Sequence, residues 1–367
     1  MQHEPSQRMT SQKLRCAVIG TGTFAEVCHI PGLQSHPDAE VVAICGEQER
    51  ARRLATKFGV PSVHADVNEL CERDDVDAVT IVTRNANHRA HALVAMRHDK
   101  HVLCEKPLGM NTNEAREMAA AAGMGRRVHQ VAFVFRYTYG LRELRRRVLR
   151  GDIGQPYLCR VQYDNWDGLK PEWKASWRDQ RESAGAGVMF HLGSHLFDLA
   201  RHVLGPIESG IGFTGVIPRT RPDEHTGELI EVETDDFFNA WLHHANGSRA
   251  QIAVSRVTPS FTQNGWLEVI GPEGALKAAL SRGSVDSLKV STPKVPEWVD
   301  VPLPHEANDG LPHALALMMR SFVDACLRGQ SDPGLDATFE DGAAAQYAMA
   351  AVLASETQAR WVRLAEI

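Results

Sequence analysis

The sequence predicts an α/β protein: a doubly wound parallel sheet followed by a second domain containing antiparallel strands. Three observations carry this. The chain has 367 residues, which at ~150 residues per domain is about two domains. Short apolar runs with no helical period alternate with helix-like segments from residue 14 to residue 104, the pattern of βαβ units. From residue 155 the runs alternate apolar with polar and are joined by hairpin turns. With 43% hydrophobic and 23% charged residues the chain is not disordered, collagen-like or a coiled coil. A net charge of −6 gives no global attraction to nucleic acid or to an anionic membrane. No run approaches the ~20 apolar residues of a membrane helix. Residues 1–12 read as a disordered leader without a signal-peptide stretch, so a cytoplasmic protein is expected. Seven scattered cysteines, none in a CxxC pair, suit buried thiols in a reducing compartment.

The run 14–19 reads as a strand buried on both faces. Gly20-Thr21-Gly22-Thr23-Phe24-Ala25 follows it and opens a helix. This is the GxGxxA form of the dinucleotide fingerprint. Gly20 permits the tight turn, Gly22 lets backbone approach a pyrophosphate, and Ala25 lets the helix pack on the sheet. A second buried run, 40–45, ends beside Glu47, which is placed to bind ribose hydroxyls and to repel a 2′-phosphate. That favours NAD, although Arg50, Arg52 and Arg53 keep NADP open. A helix over 49–58, a strand at 62–63 and a helix over 67–72 come next. The buried strand 77–82 then ends in Thr83-Arg84-Asn85-Ala86-Asn87-His88. A helix over 89–96 leads to the strand 101–104, which runs into Glu105-Lys106-Pro107. Gly20, Glu47, Asn85 and Lys106 all fall at carboxyl ends of strands, where such sheets bind ligands.

The run 157–163 alternates, as in a strand with one covered face. Segments 237–244 and 249–255 flank Asn246-Gly247, a strong hairpin signal. Another hairpin is expected around 271–273, a surface loop over 219–228, and a long Ala-rich helix over 342–359. Segment 166–183 is irregular and holds Trp166, Trp173 and Trp177. Trp177 could stack on a sugar ring, with Arg178 or Lys174 donating to hydroxyls; the alternative is a loop anchored by its tryptophans. Asp235-Asp236 reads as a solvated or interdomain pair.

The series Gly20-x-Gly22-x-x-Ala25, Thr83-x-Asn85-x-x-His88, Glu105-Lys106-Pro107, Arg136-Tyr137 and 187–198 (GVMFHLGSHLFD) resembles the Gfo/Idh/MocA oxidoreductase family. The resemblance implies a Rossmann domain, placed at 13–135, and a second domain at 136–367 for substrate binding and oligomerisation. That second domain would be α/β, with a large, mostly antiparallel open sheet. It also implies NAD(P), a sugar, inositol or related polyol as substrate, and a homodimer or homotetramer. By the same resemblance Lys106 and His195 are proton-transfer groups, and Thr23, Phe24, Thr83, Asn85, His88, Glu105, Lys106 itself and Arg136 join the cofactor set. The family usually has Asp where this chain has His191. At i and i+4 of a helix, His191 and His195 share a face, so an altered acid/base pair is expected. A non-oxidoreductase use of the fold and a two-histidine metal site are the alternatives, the latter without a visible third ligand. Two further functions fit the same pattern: a glycosidase or lyase with transient ring oxidation, and a non-catalytic nucleotide sensor.

Overall fold

The computed structural model describes residues 13–170, 172–217, 219–259, 264–280 and 286–367; the leader expected at 1–12 lies outside them. Strands β1 (Leu14–Ile19), β2 (Ala39–Cys45), β3 (Val63–His64), β4 (Ala78–Ile81), β5 (His101–Cys104) and β6 (His129–Val131) form a parallel sheet. Its order is β3-β2-β1-β4-β5-β6. Side chains alternate between two buried faces. Cys16, Val18, Ile44 and Leu103 pack with α1 (Ile30–Gln34) and α2 (Gln48–Phe58). Ala17, Ile19, Val79 and Val102 pack on the other side, with α3 (Val67–Glu72), α4 (His88–Arg97) and α5 (Thr112–Met124). Burial on both faces explains apolar runs that lack any amphipathic period. The strand order reverses between β1 and β4, and there the carboxyl ends open a crevice.

After α6 (Tyr139–Arg150) the second sheet begins with β7 (Leu158–Asp164). Two helices, α7 (Arg181–Ala184) and α8 (Ser194–Leu204), precede β8 (Ile207–Gly215). A small ribbon, β9 (Thr220–Pro222) with β10 (Leu229–Glu231), stands apart. The sheet continues with β11 (Phe237–His244), β12 (Arg249–Ser255), β13 (Asn264–Gly271), β14 (Gly274–Ala279), β15 (Leu288–Thr292) and β16 (Val295–Asp300). Then come α9 (Gly310–Arg328), α10 (Phe339–Gln358) and β17 (Val362–Arg363). The nine strands run β16-β15-β14-β13-β7-β12-β11-β8-β17, antiparallel except for β7 beside β12. Phe238, Ile252, Val161 and Leu267 line its covered face, while Trp241 and Phe213 are exposed on the other.

Two expectations need correction. The segment 219–228 is not a plain surface loop, because it contains β9, whose Arg221 is buried between two carboxylates. A boundary at 135/136 separates the sheets but misassigns α9. Met318, Met319 and Phe322 of that helix join the core of the first sheet, covering a face that local helices leave open. The expected Ala-rich helix begins earlier, at Phe339, because Thr338 and Asp341 form a reciprocal cap. All seven cysteines are buried free thiols, and no described helix is long and apolar enough to cross a membrane.

Burial pushes His101 and His129 down to about 4 and His202 to about 2, with Arg127 adding to the effect at His101 and Arg136 at His202. An unfolded histidine protonates near 6.5, so between 6.5 and 4 the unfolded chain binds more protons, and stability falls as pH falls. We expect a melting temperature several degrees lower at pH 5 than at pH 7, with little change from pH 7 to pH 8. A flat profile from pH 7 to pH 5 would refute this.

Candidate active site

At the end of β1, Gly20 adopts φ +127°, and a Cβ there would lie 2.4 Å from the Val82 carbonyl oxygen. Only glycine fits that turn. A Cβ at Gly22 would meet nothing, which leaves the backbone open where a phosphate would approach. Thr23 and Phe24 are exposed at the start of a helical run over 23–34, and Ala25 is fully buried beneath it. Exposed N–H groups at that helix start, above a glycine turn in the crevice, fit the pyrophosphate of a dinucleotide. The same helix contains a π turn, Ala25–His29, closed by Ile30 N–H donating to the Ala25 carbonyl. It precedes Pro31, which would otherwise clash with the carbonyl four residues back. At the end of β2, Glu47 caps α2, accepting from Glu49 N at 2.9 Å and Arg50 N at 3.0 Å. Arg53 and Lys57 are both held by Glu26.

Beyond β5 lies Glu105-Lys106-Pro107, with a cis peptide before the proline. His29, fully buried in the π turn, places Nε2 3.2 Å from Glu105 Oε1. Burial alone would raise the Glu105 carboxyl. The hydrogen bond from His29 and the positive field of Lys106 hold it below its ordinary value. His88 departs from expectation. It is fully buried, with Nδ1 2.8 Å from the Pro107 carbonyl and Nε2 3.3 Å from that of Thr83. Burial disfavours its charged form, so the ring donates to one carbonyl, the nearer Pro107 oxygen, and lies packed beside the Thr83 turn, not open to a cofactor.

Lys106 Nζ reaches across to the second domain, donating to the His191 carbonyl at 2.9 Å and lying 3.4 Å from His191 Nδ1. Accepting from an ammonium requires Nδ1 to be the unprotonated nitrogen. His191 sits in a π turn, Met189–Gly193, rather than in the regular helix expected, and this turn runs directly into α8. His195 lies in the first turn of α8, buried, with the rings of Phe133 and Phe135 edge-on at 5.7 and 5.1 Å. The approach of this helix to the sheet depends on Gly187, where a Cβ would fall 2.0 Å from the Asp235 carbonyl oxygen. Asp235 is itself buried, and its carboxylate accepts from Gly187 N and Met189 N, each at 2.7 Å.

Arg136 is a second correction. Its guanidinium is buried and grips Asp198 at 2.8 and 2.5 Å, with the Asp336 carbonyl at 3.1 Å. The donors are consumed in tying residues 134–137 to α8, so Arg136 does not face the crevice. Asp198 is thereby committed to Arg136.

Trp177 and Arg178 lie in a short helical turn, with the Arg178 guanidinium 4.6 Å and that of Arg84 5.9 Å from the Trp177 ring centre. Asn85 Nδ2 donates to the Ala184 carbonyl at 3.0 Å, so the tryptophan segment is docked on the end of β4. Behind it Asp179, Asp236, Arg221 and Arg256 form a buried four-charge cluster. Asp235 and Asp236 are thus neither solvated nor interdomain. Sequence reading missed His29, Arg221 and Arg256. Pro31 inside a helix marked an irregular turn near His29, but nothing local marks the two arginines. Among the described residues no group of three or more His, Cys, Asp or Glu gathers to hold a metal.

Residues 14–133 match the model of an oxidoreductase family with an NAD-binding Rossmann fold, and residues 141–277 match the GFO/IDH/MocA C-terminal domain. The chain is 35% identical to 1,5-anhydro-D-fructose reductase of Ensifer adhaerens over 264 residues, 71% of this chain and 74% of that one. It is 33% identical to D-glucoside 3-dehydrogenase of Escherichia coli (strain K12) over 198 residues. That match covers 54% of this chain and only 56% of the relative's length. The fold is shared with levoglucosan dehydrogenase solved with NADH and L-sorbose: TM-score 0.89, 23% identity, 96% of this chain and 99% of that one. The glycine turn, the EKP lysine and the histidine helix thus sit in one crevice of a shared two-sheet fold, and the chain belongs to the Gfo/Idh/MocA family of NAD-dependent oxidoreductases.

Proposed function

We propose that this protein moves a hydride between NAD and a hydroxyl or carbonyl of a sugar, inositol or sugar derivative. The observation that carries the reading is the contact of Lys106 with His191, which joins the nucleotide-binding sheet to the histidine helix at one point. Bound nicotinamide supplies the hydride acceptor for the carbinol carbon, leaving a carbonyl and a hydroxyl proton. That single proton passes to Lys106 in its neutral amine form, with His195 as the second group able to hold or release a proton at the substrate oxygen. His191 orients Lys106 through its carbonyl and ring. Trp177 and Arg178 form the sugar-facing wall, and Glu47, Thr83 and Asn85 belong to the cofactor side. NADP is disfavoured because Glu47 would repel a 2′-phosphate while Glu26 occupies Arg53 and Lys57.

A panel of sugars and inositols with NAD and with NADP, followed by absorbance of reduced nicotinamide, tests this. Stoichiometric NADH formation supports it. Bond cleavage with no net NADH would replace it with the glycosidase or lyase reading, and NADH binding without turnover of any sugar would replace it with a sensor.

The His191 reading has its own test. A carboxylate at 191 would stabilise the Lys106 ammonium, whereas a neutral imidazole offers only a lone pair. In His191→Asp the rising limb of the pH–rate profile for oxidation should therefore move to higher pH. An unmoved limb would show that Lys106 does not govern it.

We place a homodimer or homotetramer on the open face of the second sheet, where Trp241 and Phe213 stand exposed on neighbouring strands. Trp241→Glu should give the 40.5 kDa monomer in sedimentation. Unchanged assembly in that variant would rule out this face.

A further inference from the structure

We propose that the adjacent pair Asp235 and Asp236 positions the two halves of the active site, one carboxylate for each half; this rests on the functional reading above. Consecutive residues of an extended chain point to opposite sides. The pair leads into β11 and is held in the ladder, with Asp236 N donating to the Gly215 carbonyl and Arg256 N to the Asp236 carbonyl.

On one side the Asp235 carboxylate accepts from Gly187 N and Met189 N, while its carbonyl accepts from Val188 N at 2.9 Å. Three backbone donors at the start of the His191–His195 helix are therefore fixed by one residue of another strand. Any shift of Asp235 displaces the His191 carbonyl, and with it the hydrogen bond from Lys106.

On the other side Asp236 Oδ1 accepts from Arg221 at 2.5 Å and from Arg256 at 2.6 Å. The same two arginines hold Asp179 Oδ1, at 2.6 and 3.0 Å. Asp179 is next to Arg178, and its Oδ2 accepts from Ser176 N at 2.9 Å. The Trp177–Arg178 turn thus hangs from Asp236 through two buried guanidiniums. All four charged side chains are nearly or fully buried, so each bond is shielded from water and from salt.

The two carboxylates should separate in kinetics. Asp235→Asn keeps the shape but leaves one backbone donor without an acceptor. We expect kcat to fall about tenfold, with the sugar KM within about twofold. Asp236→Asn weakens the anchor of the tryptophan turn. The sugar KM should rise about tenfold, with kcat within about twofold. NADH affinity should be unchanged in both, read by nicotinamide fluorescence. Amide hydrogen exchange gives a readout independent of activity. Asp235→Asn should raise exchange over 187–195 alone, and Asp236→Asn over 173–186 alone. If Asp236→Asn fails to fold, Arg221→Lys retains the charge but offers one nitrogen where Arg221 uses two, and should show the same KM rise and exchange pattern.

Exchange rising in both segments in both variants overturns the proposal. So does a clean split in exchange without a split between kcat and KM. Should the wild-type protein turn over no sugar or polyol, the functional reading fails, while the exchange pattern still decides whether each aspartate holds its own segment.

Discussion

Lys106→Met should lower kcat for NAD-linked turnover by between about a hundredfold and ten-thousandfold, the range spanned by losing a positioned proton-transfer group. NADH affinity should change no more than a few-fold, because Lys106 lies beyond the glycine turn that we propose for the phosphates. The variant should fold normally. Lys106 is only partly buried, and its neighbours on the turn are held independently by His29 through Glu105 and by His88 through the Pro107 carbonyl. Single-turnover rates and fluorescence titration of NADH separate the two effects. A variant that kept more than a tenth of wild-type kcat would remove Lys106 from the chemistry. One that lost NADH binding and kcat together would make it a cofactor ligand.

Asp198→Ala should be among the most destabilising single changes in the molecule. Both partners of the Arg136–Asp198 pair are almost wholly buried, at 2% and 0% side-chain exposure. Burial works against the guanidinium charge, but the field and hydrogen bonds of Asp198 outweigh it and keep Arg136 protonated. Removing one partner leaves the other charged and unpaired in a dry site, at a cost of about 3–5 kcal/mol. Asp341 and the Asp336 carbonyl compensate in part, so the lower end is expected. Replacing the pair together, Arg136→Leu with Asp198→Leu, should cost less than Asp198→Ala alone, because no charge is stranded. Thermal and urea unfolding of the three proteins check this. A loss below about 1 kcal/mol for Asp198→Ala would mean that water reaches the pair. The pair also explains why His195 stands where it does. It clamps the segment carrying Phe133 and Phe135 to α8, and those rings bracket the imidazole.

Much of this protein was legible in its amino-acid order. Five short apolar runs, a glycine turn after the first and a lysine turn after the fifth are local patterns, and both turns lie at carboxyl ends of strands; the sixth strand, His129–Val131, has no such run and was not legible. A buried parallel strand must be apolar on both faces, and a phosphate-binding turn must have glycine at positive φ. Those constraints act within a few residues, so they leave a mark that can be read in sequence. Lys106, His191 and His195 stand out as candidates for the same reason: each lies in a compact motif.

Contacts between distant segments left no such mark. His88 and Arg136 occupy motif positions that suggested a cofactor, yet backbone carbonyls and Asp198 from other elements consume their polar atoms. Asp235-Asp236 is indistinguishable in sequence from a solvated acidic pair. Its role depends on Gly187, just before the π turn, on Arg221 of the ribbon strand β9, and on Arg256, which follows β12 beside β11. Helix α9 follows β16 of the second sheet in the chain but belongs to the core of the first. Charge compensation and face-covering are settled by what the fold places nearby, across separations of up to about 300 residues in α9's packing on β1. A strand or a turn is determined by its own residues; the partner of a buried charge is determined only once the chain has closed around it.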